Sequence, residues 1–391
     1  MANLPKKLKQ KLQQRLDDDI IRSLSTTRGS VDFVSNDYLG LAKDNETFRA
    51  AIDLLEARGE MGNGSTGSRL LSGNNELFED TENYLAEYYG EEAALIFNSG
   101  YDANLGLFSS VPQRGDLILF DEYIHASMRD GIRMGLARSI KFTHNDLNEL
   151  RDILQREREN ITQDAQCYIV TEAVFSMDGV QPELKTLLSL CGEFQCKLIL
   201  DEAHAIRGID KTLSDLKGSE YLPQCVFARI VTFGKAIGVQ GAAILGSNDL
   251  KNYLLNYARS FIYTTALPPM TVASILCIYQ KLDSEDIQRR KSKLRSNIAL
   301  FQGETEKREL GELFIKSNSA IHSCIIPGNN RVKKVAQTLI QKGYDLRPIL
   351  APTVPVGKER IRICLHSFNT EDEIKEVLSI LAYAIEEKIH S

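Results

Sequence analysis

From about residue 90 to residue 250 the chain alternates short apolar runs with helical stretches, and no other feature narrows its possible folds so much. The runs are "AALIFNSG", "DLILFDEY", "SIKFTHN", "CYIVTEAVFS", "CKLILDEAH", "ARIVTFGK" and "GAAILG". Each is rich in Val, Ile, Leu or Phe, and polar or glycine-rich residues follow it. Strands covered by helices on both faces read in this way. The expectation is an α/β protein with a mostly parallel sheet and with ligands at the carboxyl ends of its strands. Around "YTTALPPM" two prolines interrupt the pattern. Beyond it "AIHSCIIPG" and "YDLRPILAPTVPVGKERIRICLHSF" alternate with helical stretches, as in a smaller α+β lobe. The expected division is an N-terminal helix and arm over 1–45, a large domain over 46–275 and a small C-terminal domain over 276–391.

A length of 391 residues suffices for a large core and such a second lobe. The formal net charge of −6 supplies no general attraction to nucleic acid or to anionic membranes. No apolar run reaches membrane-spanning length and no secretory signal opens the chain, so neither a membrane nor a nucleic-acid partner is expected. The seven cysteines contain no C-x-x-C pair and sit mostly in apolar company. They read as reduced, buried thiols of a cytoplasmic protein, with no metal site. At the N-terminus, "LPKKLKQKLQQRLDDDIIRSL" has apolar residues at helical spacing, and its Leu and Ile stripe is expected to pack on the body.

The stretch "ARIVTFGKAIGVQGAAILG" places Lys235 among glycines at the tip of an apolar run. A lysine at a strand end is ordinarily solvated, its stem lying on apolar surface. The alternative is a Schiff-base lysine, an amine made nucleophilic by an apolar pocket. Neighbouring strand ends bear on the choice. "LILDEAHA" sets Asp201, Glu202 and His204 just past a run that reads as buried, where a carboxylate needs a cationic or donating partner. "YIVTEAVFSMDG" brings Glu172, Ser176 and Asp178, and "FDEYIHAS" brings His125. "NSGY" ahead of an expected helix leaves the backbone of Gly100 and Tyr101 free to cradle a phosphate. Each signal alone is weak and has an ordinary structural reading. Together they suit an aldehyde cofactor with a phosphate tail and a pyridine nitrogen.

Six segments, in order along the chain, resemble the α-oxoamine synthases of the fold-type I, aspartate aminotransferase-like, pyridoxal 5′-phosphate enzymes. They are "SNDYLGL", "GNGSTGSRLLSG", "FSMDG", "DEAH", "TFGKAIG" and "APTVPVGKERIRICL". The resemblance runs from about Asn36 to Arg362. It implies that Lys235 holds the cofactor and moves the substrate α-proton, and that Asp201 pairs with the pyridine nitrogen. It implies also that His204 and Ser176 lie by the phenolic oxygen, that His125 stacks on the ring, and that Thr232 joins Gly100 and Tyr101 at the phosphate. Thr264 and Thr265 would reach the partner subunit's phosphate in a homodimer. Asn36 and Arg362 would take the amino-acid carboxylate, while Arg22 and Thr353 fall where members contact the acyl substrate. The implied reaction is decarboxylative condensation of an amino acid, most closely L-alanine, with an acyl-coenzyme A, most closely pimeloyl. Glycine with another acyl donor, an aminotransferase on the same fold and a non-catalytic partner subunit are the alternatives. After "DEAH" the chain departs from the family with "AIRGID". Arg207 there reads either as a solvated loop residue or as a contact for an acidic acyl tail or a coenzyme A phosphate.

Overall fold

A computed structural model of the chain describes residues 4–22, 24, 30–159, 164–216 and 222–386. All seven apolar runs form strands of one sheet: β1 (Ala93–Phe97), β2 (Leu117–Asp121), β3 (Arg138–Phe142), β4 (Cys167–Glu172), β5 (Lys197–Asp201), β6 (Val226–Thr232) and β7 (Ala242–Gly246). Their spatial order is β1-β7-β6-β5-β4-β2-β3. Strand β7 runs antiparallel to both of its neighbours, and every other pairing is parallel.

Side chains alternate across this sheet, as the strand period of two requires. Ile118, Val170 and Ile199 pack with Leu107, Phe108, Met128 and Leu254 on one face. Leu119, Ile169, Leu198 and Leu200 point the other way, into a layer with Leu150, Leu187 and Leu188. Burial on both faces explains why the strands read as unbroken apolar runs rather than as alternating ones.

The C-terminal lobe carries a separate antiparallel sheet of β8 (Ile321–Ile325), β9 (Arg347–Ile349) and β10 (Arg360–Cys364), in the order β9-β10-β8. Helices Asn329–Gln341 and Glu371–Glu386 pack against each other in this lobe. Thr370 and Glu373 form a reciprocal capping box that starts the last helix, each side chain accepting from the other's backbone N–H. A short parallel pair, Val31–Asp32 with Tyr344–Asp345, ties the N-terminal arm to the lobe.

One glycine shows how the arm is seated. Gly238 has φ of +72°, and a Cβ there would come 2.3 Å from the backbone nitrogen of Ala42. Only glycine permits both the left-handed turn and that close approach. The turn after Lys235 can therefore lie directly against "SNDYLGLA".

The N-terminal expectation needs correction. Lys6–Asp17 is a helix, but it buries no residue, and Leu8, Leu12 and Leu16 are about half exposed. Among the described residues nothing buries its apolar stripe against the body of this chain. Lys333 touches the following turn through Asp19. The seven cysteines are free, and all but Cys277 are buried. Among the described residues no helix is long and apolar enough to cross a membrane, and no cluster of side chains suits a metal.

Candidate active site

The carboxyl ends of β4, β5 and β6 converge with the arm and with β10. Glu172 and Asp201 are direct neighbours in the β4–β5 register, and both are buried. Lys235 follows β6 in a turn closed by a Gly238 N–H to Lys235 carbonyl bond. The residue is half-buried, and desolvation lowers the pKa of its amine against the opposing pull of Asp201 and Glu172. Such an amine gives up its proton more readily than a solvated lysine, so the solvated-surface reading of Lys235 does not describe this site.

Glu172 is pushed up to about 8, by burial first and by the Asp201 charge second. Its Oε1 accepts from the His125 backbone N–H at 2.7 Å. His125 caps the helix Ala126–Met134, and its Nδ1 lies 2.8 Å from Ser127 Oγ. Desolvation and then the Lys235 charge hold its pKa below the usual histidine value. The contacts continue inward. Asn104 Nδ2 donates to Ser127 Oγ at 3.1 Å and to Asp201 Oδ2 at 3.0 Å. Asp201 Oδ1 accepts from the Ala203 N–H, which completes its anchoring.

A second chain of contacts starts at His204. Its Nδ1 is 2.8 Å from the hydroxyl of Tyr38, a fully buried residue of the arm. Burial, then Lys235 and Arg362, drive His204 well below the usual histidine pKa, so its ring is neutral. The Tyr38 hydroxyl donates to Asn36 Oδ1 at 3.1 Å. The same oxygen accepts from Arg362 Nη2 at 2.9 Å, and Arg362 Nε donates to the Ser176 carbonyl at 2.7 Å. Arg362 is thus fixed on two sides and presents a guanidinium beside the lysine turn.

On the other flank Ser99 caps the helix Gly100–Ser110, its side chain accepting from the Asp102 N–H. A Cβ on Gly100 would stand 3.7 Å from Thr232 Oγ1, so this glycine and this threonine face one another across a space that a side chain would fill. Tyr101 is exposed and donates to Asp130 at 2.7 Å. Asn98 Nδ2 donates to Thr264 Oγ1 at 3.0 Å and to the Thr265 carbonyl at 2.7 Å, which places both threonines beside the same turn. Thr353 is exposed and lines a 240 Å³ cavity together with His125 and Ser176. A larger cavity of 850 Å³, by Asp32, Lys43 and Arg290, holds none of the candidate residues. Arg22 is exposed, and none of the hydrogen bonds among the described residues ties it to this group.

The arrangement suits pyridoxal phosphate. It offers an amine of lowered pKa, a buried carboxylate and a helix N-terminus with a bare cradle facing a threonine. The sequence matches the family model for class I and II aminotransferases over residues 28–381. It is 37% identical to 8-amino-7-oxononanoate synthase of Emericella nidulans, over 98% of this chain and 97% of that one. It is 36% identical to the same enzyme of Geotalea daltonii, over 89% and 87%. This chain belongs to the α-oxoamine synthase family. Among solved structures, 8-amino-7-oxononanoate synthase of Francisella tularensis superposes with a TM-score of 0.75, at 28% identity, over 92% of this chain and 99% of that one. The serine palmitoyltransferase of Sphingomonas wittichii gives 0.86 at 25% identity, over 99% of each. The synthase is therefore a pyridoxal phosphate-dependent acyltransferase of fold type I, and the family resemblance read from six motifs holds.

Three residues of the site escaped the sequence reading. Tyr38 lies inside the quoted "SNDYLGL", yet nothing in the sequence shows that its hydroxyl meets His204. Asn104 sits one helical turn beyond the "NSG" turn. His144, in "KFTHN", lies between Asp121 (3.0 Å) and Asp178 (3.4 Å), stacks on Tyr123 with centroids 4.5 Å apart, and receives the edge of Phe175. Burial pulls its pKa down, but the two carboxylates overcome this and raise it to about 9.

A histidine raised from about 6.5 unfolded contributes stability that is complete below that value and is lost as pH rises through about 9. The variant His144→Gln is expected to cost on the order of 3 kcal/mol at pH 7, as for a broken buried pair. Thermal melts of both proteins from pH 6 to pH 10 check this. The gap between them should close above pH 9, and a gap independent of pH would remove the charge from the account.

The departure after "DEAH" also takes a definite form. Arg207 is half-buried, donates to the Tyr88 carbonyl at 3.0 Å and lies 4.5 Å over the Tyr88 ring. The solvated-loop reading does not describe it, because the Tyr88 carbonyl and ring hold one side of the guanidinium. Ile206 is buried in the core.

Proposed function

We propose that the synthase condenses L-alanine with a pimeloyl thioester, releasing coenzyme A and carbon dioxide and forming 8-amino-7-oxononanoate for biotin biosynthesis. The 240 Å³ cavity carries this reading. It abuts His125 and Ser176 and has a mainly apolar wall, which suits a second, aliphatic substrate beside the amino acid. Near full-length relatives bearing that activity support the choice.

In this reading Arg362, steadied by Ser176 and Asn36, grips the amino-acid carboxylate with a two-pronged pair. Lys235 would hold the cofactor and, with its pKa lowered by burial, would take the substrate α-proton. Bound pyridoxal phosphate supplies the electron sink that makes this proton acidic. Asp201, held by Asn104, keeps the pyridine nitrogen protonated, and His204 and Ser176 lie by the phenolic oxygen. His125 covers the ring face. Thr232 and the backbone of Gly100 and Tyr101 hold the phosphate, with Thr264 and Thr265 serving the partner subunit of a cytoplasmic homodimer. Thr353 borders the acyl chain, and Arg22 is a further contact for the acyl substrate. The α-carbon attacks the thioester carbonyl, the thiolate leaves, the β-keto acid loses its carboxylate as carbon dioxide, and a proton from Lys235 takes the carboxylate's place on the α-carbon. The division into an arm over 1–45, a cofactor domain over 46–275 and a small domain over 276–391 belongs to this reading.

The test is free-thiol release by the cofactor-loaded protein given L-alanine and pimeloyl-coenzyme A. Release that requires alanine, and that glycine or acetyl-coenzyme A does not match, is the expected result. Pyridoxamine formation in a single turnover would instead favour the aminotransferase.

A further inference from the structure

The acyl cavity is built unevenly. Ile124, Met177, Val354 and Pro355 give it apolar walls, and no carboxylate lines it, yet two guanidinium groups do. One of them is spoken for. Arg360 donates through Nε to the Lys358 carbonyl at 3.0 Å and through Nη1 to the Met177 carbonyl at 3.2 Å. The other, Arg129, stands one turn after His125 on the same helix. Its side chain makes no hydrogen bond or ion pair among the described residues, and its Nε is buried without a partner. An enclosed donor left unpaired is unfavourable, and a cation more so, unless a ligand completes it.

We propose that Arg129 reads an anionic group at the far end of the acyl chain, so that the enzyme selects ω-carboxyacyl thioesters over plain fatty-acyl ones. This rests on the acyl-transfer reading above and deepens it. A carboxylate meets the guanidinium fork with two parallel bonds, which an aliphatic terminus cannot do. The small volume points the same way. At 240 Å³ the chamber falls below the roughly 300–1,000 Å³ of pockets for drug-sized ligands, which favours a short chain over a long lipid tail. The coenzyme A phosphates are the other source of negative charge, and the experiment separates the two.

The cofactor-loaded wild type and Arg129→Met are compared with pimeloyl-coenzyme A, with heptanoyl-coenzyme A, and with the pimeloyl thioester of pantetheine, which lacks the phosphates. The expected result is a fall in kcat/KM of about 100-fold for both pimeloyl donors, with the heptanoyl donor unchanged and the visible cofactor spectrum intact. An equal fall for heptanoyl- and pimeloyl-coenzyme A, with the pantetheine donor spared, would assign the arginine to phosphate and overturn the proposal. An equal fall for all three donors would make its role structural and overturn it as well. Calorimetric binding of free pimelate and of heptanoate is measured alongside. If the wild type turns over no donor, acyl transfer fails as a reading, but binding of pimelate over heptanoate that disappears in Arg129→Met still sustains the carboxylate site. Equal binding of the two acids would end it.

Discussion

Replacing Lys235 by alanine is expected to abolish turnover, with a loss of more than about 10³-fold, and to remove the visible absorbance of lysine-bound cofactor. The fold should survive, since Lys235 lies at the end of a turn and makes no ion pair among the described residues. Cofactor binding should weaken without vanishing, because the Gly100–Thr232 cradle and the buried Asp201 remain. Borohydride treatment followed by peptide mapping decides the matter. Labelling of Lys235 in the wild type, and of no lysine in the variant, is the expected pattern. Activity retained with a label on another lysine would refute the assignment. An added primary amine should restore part of the rate if proton transfer is what the lysine supplies.

Arg362→Ala should separate amino-acid recognition from cofactor binding. The guanidinium is pinned by the Ser176 carbonyl and Asn36 Oδ1, so it is pre-organised for a carboxylate and gives up little freedom on binding. Loss of a charge-assisted pair corresponds to a 10- to 100-fold rise in KM for the amino acid, taking roughly 1.5–3 kcal/mol for a hydrogen bond to a charged group. The cofactor spectrum of the resting enzyme should stay unchanged. Spectral titration with L-alanine measures this directly, and unchanged affinity would remove Arg362 from the role. Arg362→Lys should recover only part of the loss, since an ammonium cannot reproduce the fork.

Much of this fold can be read in advance because burial on both faces writes itself into sequence. All seven strands of the large sheet appear as apolar runs, and the polar residues after them mark the ends where ligands collect. The N-terminal helix shows where such reading fails. Its Leu spacing predicts an apolar stripe and the stripe exists, but periodicity cannot say whether another surface lies opposite. Arg207 fails for a related reason. Whether a guanidinium is solvated, bound to ligand or stacked on Tyr88 depends on residues 119 positions away in the chain.

The sequence by itself determined the elements, the order of the motifs and the lysine among glycines, because local apolar spacing and turn chemistry act between near neighbours. The tertiary structure alone decided which polar groups meet. It joined Tyr38 to His204 across 166 positions and Arg362 to Asn36 across 326. It set Glu172 beside Asp201 by strand register, and it left Arg129 Nε without a partner among the described residues. Contacts of that range follow from how the arm and the small lobe close over the strand ends, and pKa shifts follow from the burial that this closure creates.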